Sequence, residues 1–394
     1  MLDLGTCPPS NAYLDISQIA GAESFLPLRV VLCRNCWFMQ TEDFFASADL
    51  FTESYAYFSS TSSSWLAHAR SFVESAIERF ALTPDSYIVE IASNDGYLLR
   101  NFVAASIPCS GIEPTTSTHE HALSIGIDSV CEFFSETFSE QFLESRSRAD
   151  LVIANNVFAH IPDCVDFAKG IKNLLTDDGV ISLEVHHAMN LLQQCQFDTI
   201  YHEHYSYHSV GSIMRIFEAV GLRVFDVEEI PTHGGSIRVY GCRSGARHET
   251  TINVSRIRQK EIDIGLETTD LYSAFATRVQ SSKLDLLTFL IDQKRKHRKV
   301  MAYGAAAKGN TLLNYCGIGT DLISHVFDAA PSKQGKYLPG SRIPIMAPSD
   351  IETLKPDVLL ILPWNIAGEV KEQLLKAGHT SIEYFTPIPT VNEI

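Results

Sequence analysis

The run DTIYHEHYSYHS at 198–209 concentrates groups able to move protons: Tyr201, His202, Glu203, His204, Tyr205, Tyr207 and His208. Imidazole titrates near neutrality, and a phenol or carboxyl beside it can orient the ring or polarise a carbonyl. The run therefore reads first as general acid–base machinery. Two other readings stand beside it. One is a solvated polar loop with incidental histidines; the other is a metal site built from His202, Glu203, His204 and His208, which matches no defined zinc spacing. His186 and His187 come just before the run, at the end of a strand-like segment, where open α/β sheets expose reactive groups.

EIASNDG at 90–96 is a second constellation, with Glu90, Ala92, Asn94, Asp95 and Gly96 followed by Tyr97. A strand, a tight turn and a following helix present backbone N–H groups to a ligand. A second strand-like segment, GIEP, ends on Glu113 and Pro114 about 20 residues on, where an acid can take both hydroxyls of a ribose. A dinucleotide loop needs spaced glycines to admit a pyrophosphate, and here there is one glycine with Asp95 beside it. An adenosyl ligand with an amino-acid tail and no phosphates fits better, which points to S-adenosylmethionine. Asn155, Asn156 and His160, after a third strand, would then lie beside its methionyl part.

In THGGSIRVY at 232–240 the glycines read most simply as a tight turn, with His233, Ser236 and Arg238 as candidate donors to a polar ligand. YGAAAKGNTLLNY at 303–315 is a strand–turn–helix whose small residues admit a phosphate near Lys308 and Asn310; it is not a Walker loop. Cys33 and Cys36 form a CxxC knuckle, half of what structural zinc requires. On residues alone zinc is disfavoured.

These groups need a scaffold, and the pattern supplies one. Strands at 87–92, 109–114, 150–156 and 179–186 alternate with helical stretches, which describes βαβ units and a mostly parallel sheet. Residues 222–242 read as an antiparallel pair closing that sheet, 252–298 as long helices, and 299–394 as a second α/β unit. The 394 residues, 45% hydrophobic and 20% charged, suit two or three packed domains at roughly 150 residues each. A net charge of −16 repels nucleic acid and anionic membrane. No apolar stretch reaches the roughly 18 residues of a membrane span, and nine scattered cysteines suit reduced thiols. We expect a cytoplasmic protein, and a monomer by default.

With these runs in hand, the chain resembles the sugar C-methyltransferases that act at C3 of nucleotide-linked 4-keto-6-deoxysugars in making branched sugars. The similarity runs nearly end to end, through PPSNAYL, LCRNCWFMQ, YAYFSS, EIASNDGYLL, FDTIYHEHYSYHS, THGGSIRVY, YGAAAKGNTLLNY and KQGKYLPGSRIPI. The resemblance implies an α/β chain in three parts. A small zinc-knuckle-like domain at 1–65 precedes a Rossmann-like class I methyltransferase domain at 66–245 that holds S-adenosylmethionine. A helical connector at 246–298 leads to a Rossmann-like, nucleotide-sugar-binding domain at 299–394. It implies a catalytic Tyr-x-Glu-His at Tyr201, Glu203 and His204, a strand-end histidine at His187, and an active-site tyrosine at Tyr57, with Tyr55 the alternative. His204 is the expected base, oriented by Glu203, with His187 the other candidate. Candidate substrate contacts are Tyr55, Ser59, His202, His233, Ser236, Arg238, Lys308, Asn310 and Lys333. Thymidine is the usual nucleotide, with guanosine or cytidine open. The family's first CxxC pair lies upstream of the DLG segment and is not in this sequence, so the zinc ligands reduce to Cys33 and Cys36. Two rival readings are a nicotinamide-dependent oxidoreductase or epimerase of nucleotide sugars, and a non-catalytic nucleotide-sugar-binding protein.

Overall fold

A computed structural model describes residues 1–44, 58–61 and 63–394 of the chain; Tyr55 and Tyr57 lie outside the described residues. Its three sheets divide the labour. The first is antiparallel and built from β1 (Leu2–Cys7), β2 (Leu26–Leu32) and β3 (Met39–Thr41). Its fourth strand comes from far along the chain: β9 (Ser206–Tyr207) pairs Met39 with Tyr207 and Gln40 with Ser206. The acid–base run thus ends inside the N-terminal sheet.

The central sheet holds β4 (Ile88–Ile91), β5 (Cys109–Ile112), β6 (Asp128–Val130), β7 (Ala149–Asn155), β8 (Leu175–His186), β10 (Leu222–Ile230) and β11 (Ser236–Arg243). Their order is β10-β11-β8-β7-β4-β5-β6, parallel from β8 to β6. β10 and β11 form the expected antiparallel pair. β4 is buried at every position, as a strand covered on both faces must be. The chain leaves β4 toward β5 and β6, then returns on the other side for β7. Loops after β4 and β7 therefore diverge and open a crevice at their carboxyl ends.

The third sheet is made of β12 (Val300–Tyr303), β13 (Val326–Phe327), β14 (Ile345–Met346), β15 (Val358–Ile361), β16 (Glu383–Thr386) and β17 (Asn392–Glu393), in the order β14-β13-β12-β15-β16-β17. It is parallel except for β17. Helices Ile252–Asp263 and Thr269–Arg295 fill the stretch between the two large sheets. One apolar core runs from Leu4, Leu28 and Met39 through Leu191, Phe197, Phe275 and Leu286 to Ala302, Leu312 and Leu360. The N-terminal sheet and the C-terminal unit are thus packed as one body. No helix among the described residues is long and apolar enough to cross a membrane.

A buried ion pair crosses the central sheet. Glu184 on β8 stands directly opposite Arg238 on β11, and Arg238 donates to its carboxylate at 2.6 Å. His68 from helix Ser63–Phe80 sits 2.9 Å from the same oxygen, and Thr232 donates to the other at 3.1 Å. Burial alone would raise the Glu184 carboxyl, but His68 and Arg238 outweigh it and hold it at about 2, from an ordinary 4.5. A carboxyl so depressed stabilises the fold at pH above its unfolded value and loses that contribution as pH falls from 4.5 toward 2, by roughly 3 kcal/mol in all. Removing one partner of such a pair strands a buried charge. Arg238→Met should lower the unfolding free energy by about 3–5 kcal/mol in urea titrations at pH 7, and adding Glu184→Gln should recover part of that loss.

Candidate active site

A cavity of about 600 Å³ opens at the carboxyl ends of β4 and β7 and extends to the start of the C-terminal unit. The turn after β4 takes left-handed backbone at Ala92 and Asn94, and the turn after β7 does so at Asn156. Asn94 accepts from Ser59 N–H at 2.9 Å, and Asp95 from Ser60 N–H at 3.1 Å. Ser59 and Ser60 thus lie across the ligand turn. Ser59, Ala92, Asn94, Tyr97, Glu113, Pro114, Asn155, Asn156 and His160 all line the cavity. Glu113 anchors the turn as well as lining it, accepting from Asn94 N–H, Thr115 N–H and the Thr118 hydroxyl at 2.9–3.0 Å.

Three of the expected cofactor residues serve beneath the lining. Glu90 is buried within β4, and burial, then the charges of Glu113 and Asp95, push its carboxyl well above the carboxylate range. Asp95 is buried under the turn, and a Cβ on Gly96 would come within 2.8 Å of Ile127. The Asp95 Oδ1 and Asn155 Oδ1 atoms are buried without hydrogen-bond partners among the described residues. This donor set is rich in acceptors. It fits the ammonium and ribose hydroxyls of S-adenosylmethionine and disfavours a pyrophosphate.

The acid–base run enters the cavity from the other side. Tyr201, Glu203 and His204 line it, and the Tyr201 and His204 rings lie 3.9 Å apart. The His204 Nδ1 atom is 2.8 Å from Thr199 O. A carbonyl can only accept, so Nδ1 carries the hydrogen and Nε2 keeps the lone pair. Burial, then the neighbouring His160, depress His204 well below the usual imidazole range, so it is neutral at pH 7. Glu203 does not orient this ring, as its sequence position suggested. Its carboxylate instead accepts from Asn11, and the ring is held by Thr199. Burial raises Glu203 to about 7, with Asn11 opposing the rise.

His187 lies away from the cavity. Its side chain is fully buried and its Nε2 meets Glu261 at 2.8 Å; the cavity is lined instead by its neighbour His186, held by Gln196. Successive strand residues point to opposite faces, and the register puts His186 on the open one. His202 likewise turns to Pro27 O at 3.1 Å. Ser236 bonds Thr232 O and Arg238 pairs with Glu184, so these two build the sheet rather than meet a ligand. Asn310 is buried outside the lining, where its oxygens accept from Asn314.

His233, Lys308 and Lys333 do reach the cavity. Lys308 sits 4.8 Å over the Trp364 ring and 3.3 Å from Asn365, and burial lowers its ammonium against the pull of Asp198. Gly234 has φ +89°, and a Cβ there would come within 2.4 Å of Trp364, so the glycine pair is shaped by the C-terminal unit as well as by the turn. Trp65, Thr199 and Asn11 also line the cavity, and the sequence did not single them out. The Trp65 indole stacks on His68 at 4.9 Å and Tyr97 at 6.3 Å.

Cys33 and Cys36 sit on a tight turn closed by Trp37 N–H to Cys33 O at 2.7 Å, while Cys7 is buried in β1. Among the described residues no group of three or more His, Cys, Asp or Glu could hold a metal ion. Structural zinc takes four ligands, so the residues described do not make a zinc site.

Residues 65–227 match a family described as "Methyltransferase domain", residues 231–389 one described as "C-methyltransferase C-terminal domain", and residues 1–51 one described as "Putative zinc binding domain". Among solved structures, an S-adenosylmethionine-dependent methyltransferase from Clostridium acetobutylicum is 14% identical, covering 46% of this chain and 92% of that one, with a TM-score of 0.38. The C-methyltransferase NovU of Streptomyces niveus is 34% identical over 389 residues, 99% of this chain and 92% of that protein. With one relative matched across nearly its whole length, and a methyltransferase crevice lined by acceptors beside a neutral imidazole, the chain belongs to the family of S-adenosylmethionine-dependent C-methyltransferases that includes NovU.

Proposed function

We propose that this chain methylates C3 of a nucleotide-linked 4-keto-6-deoxysugar through an enolate. The observation that carries the reading is the His204 ring: neutral, its Nδ1–H spent on Thr199, its Nε2 available in the same cavity as Asn94, Glu113 and Asn155. Forming a carbon–carbon bond to an electrophilic methyl needs a carbanion equivalent. A C4 ketone acidifies the C3 hydrogen, and His204 is the base that removes it. Tyr201, whose ring lies tilted against that imidazole, donates to the developing C4 oxyanion; Tyr57 is the alternative donor. When bound, S-adenosylmethionine supplies the methyl on a sulfonium.

The surrounding side chains suit a cationic donor. Burial lowers His160 and His233 to about 4 and His186 to about 3, so these imidazoles carry no charge near neutrality. Among the described residues the lysines lining the cavity are Lys308 and Lys333, which we assign to the diphosphate of the nucleotide sugar, with thymidine as the base and guanosine or cytidine as alternatives. The acceptor-rich turn after β4 weighs against the oxidoreductase reading, and the assembled acid–base loop against a purely binding role.

His204→Asn should abolish both methyl transfer and solvent-deuterium exchange at C3, read by mass spectrometry of the sugar nucleotide. Exchange that survived in the variant would move the base elsewhere. Tyr201→Phe should lower kcat by roughly a hundredfold, the usual cost of one oxyanion donor, with little change in KM. Calorimetric titration should show binding of S-adenosylhomocysteine and none of NAD; the reverse would sustain the oxidoreductase.

A further inference from the structure

Asn11 stands 192 residues before Glu203 in the chain, yet its Nδ2 donates to both carboxylate oxygens, at 2.9 Å to Oε1 and 3.0 Å to Oε2. The amide has one workable orientation. Its Oδ1 faces the Tyr13 hydroxyl at 3.4 Å, and turning the group over would press a carbonyl oxygen against the carboxylate. Tyr13 in turn donates to Ala305 O at 2.6 Å, just past β12, and Leu14 bridges to Tyr337. The segment is thus tied to the C-terminal sheet as it reaches the acid–base loop. Asn11 and Glu203 line the same cavity.

We infer that Asn11 is a positioning residue that holds the Glu203 carboxylate in its working orientation at the reacting end of the cavity. This rests on the cavity's being the site of the proposed reaction. Fixing one carboxylate through both oxygens removes the rotation about its last bond, which a packed apolar neighbour could not do. The amide also favours the anion, against the burial that raises Glu203 to about 7. Tyr13 on the same segment interacts electrostatically with Glu203, His160 from the central unit bonds its backbone carbonyl, and Tyr201, His204, His186, His233, Glu113, Glu132, Lys308 and Lys333 line the same cavity.

The test compares wild type, Asn11→Ala and Asn11→Asp. With thymidine-diphosphate-4-keto-6-deoxyglucose as probe, kcat and the rate of C3 deuterium exchange should fall by ~10- to 100-fold in both variants. KM and calorimetric affinity for S-adenosylhomocysteine should stay near wild type, which also shows that the variants fold. Asn11→Asp should recover as pH is lowered, since one shared proton restores a donor between the two carboxyls; Asn11→Ala should not. In parallel, infrared titration of glutamate-labelled protein, with Glu203→Gln identifying the band, should place the Glu203 midpoint higher in Asn11→Ala than in wild type. Unchanged kcat, or an unshifted midpoint, overturns the inference. If wild type neither methylates nor exchanges the probe, the proposed reaction fails, and the infrared midpoint alone then decides whether Asn11 acts on Glu203.

Discussion

The site depends on one stretch of chain, 198–208, that all three parts of the molecule hydrogen-bond. The N-terminal sheet binds it through Thr41, whose hydroxyl donates to His204 O at 2.7 Å and whose N–H donates to Tyr205 O at 2.9 Å. The central unit binds it through His160 Nδ1 to Glu203 O and Tyr205 N–H to Ala159 O. The C-terminal unit donates the Thr311 hydroxyl to Ile200 O at 2.9 Å, and Trp364 caps Asp198 at 2.8 Å. A loop dense in polar groups can be buried only when each finds a partner. Here the partners arrive from separate sheets, so the acid–base group is assembled only when the three parts are docked.

The electrostatics follow from the same burial. Histidines in water would be partly charged near pH 6.5, and several imidazolium ions around one cavity would repel a sulfonium. Burial is the largest cause that removes that charge from His160, His186, His204 and His233, and the charge of Lys308 adds to it at the last three. Acid groups divide in the opposite way. Glu184, with His68 and Arg238 around it, is held low and braces the sheet; burial and the charges of Glu113 and Asp95 push Glu90 well above the carboxylate range. Glu203 lies between, raised to about 7 by burial with the neutral Asn11 amide opposing the rise.

Much of this was legible from residue pattern. The βαβ alternation, the antiparallel closing pair and the two ligand turns come from local periodicity and local turn chemistry, which a chain carries wherever it goes. Asn94, Glu113, Asn156, Tyr201 and His204 were identifiable because strand ends and polar density mark them. Side-chain direction was not. His186 and His187 are adjacent and chemically identical, and only the register of β8 against β11 sends the first into the cavity and the second to Glu261. Ser236 and Arg238 looked like ligand donors because nothing local announces Glu184 as the partner of Arg238.

The sequence by itself determined the class of chemistry: a single-glycine turn with acids where phosphates would be repelled, and a proton-moving run after a strand end. Both are properties of residues within a few positions of one another. Only the tertiary structure decided how that chemistry is poised. The tautomer of His204 is set by one carbonyl, its charge by burial, and the orientation of Glu203 by an amide brought from the far end of the chain. Hydrogen-bond geometry and desolvation depend on which atoms meet in space, and separation along the chain carries no information about that.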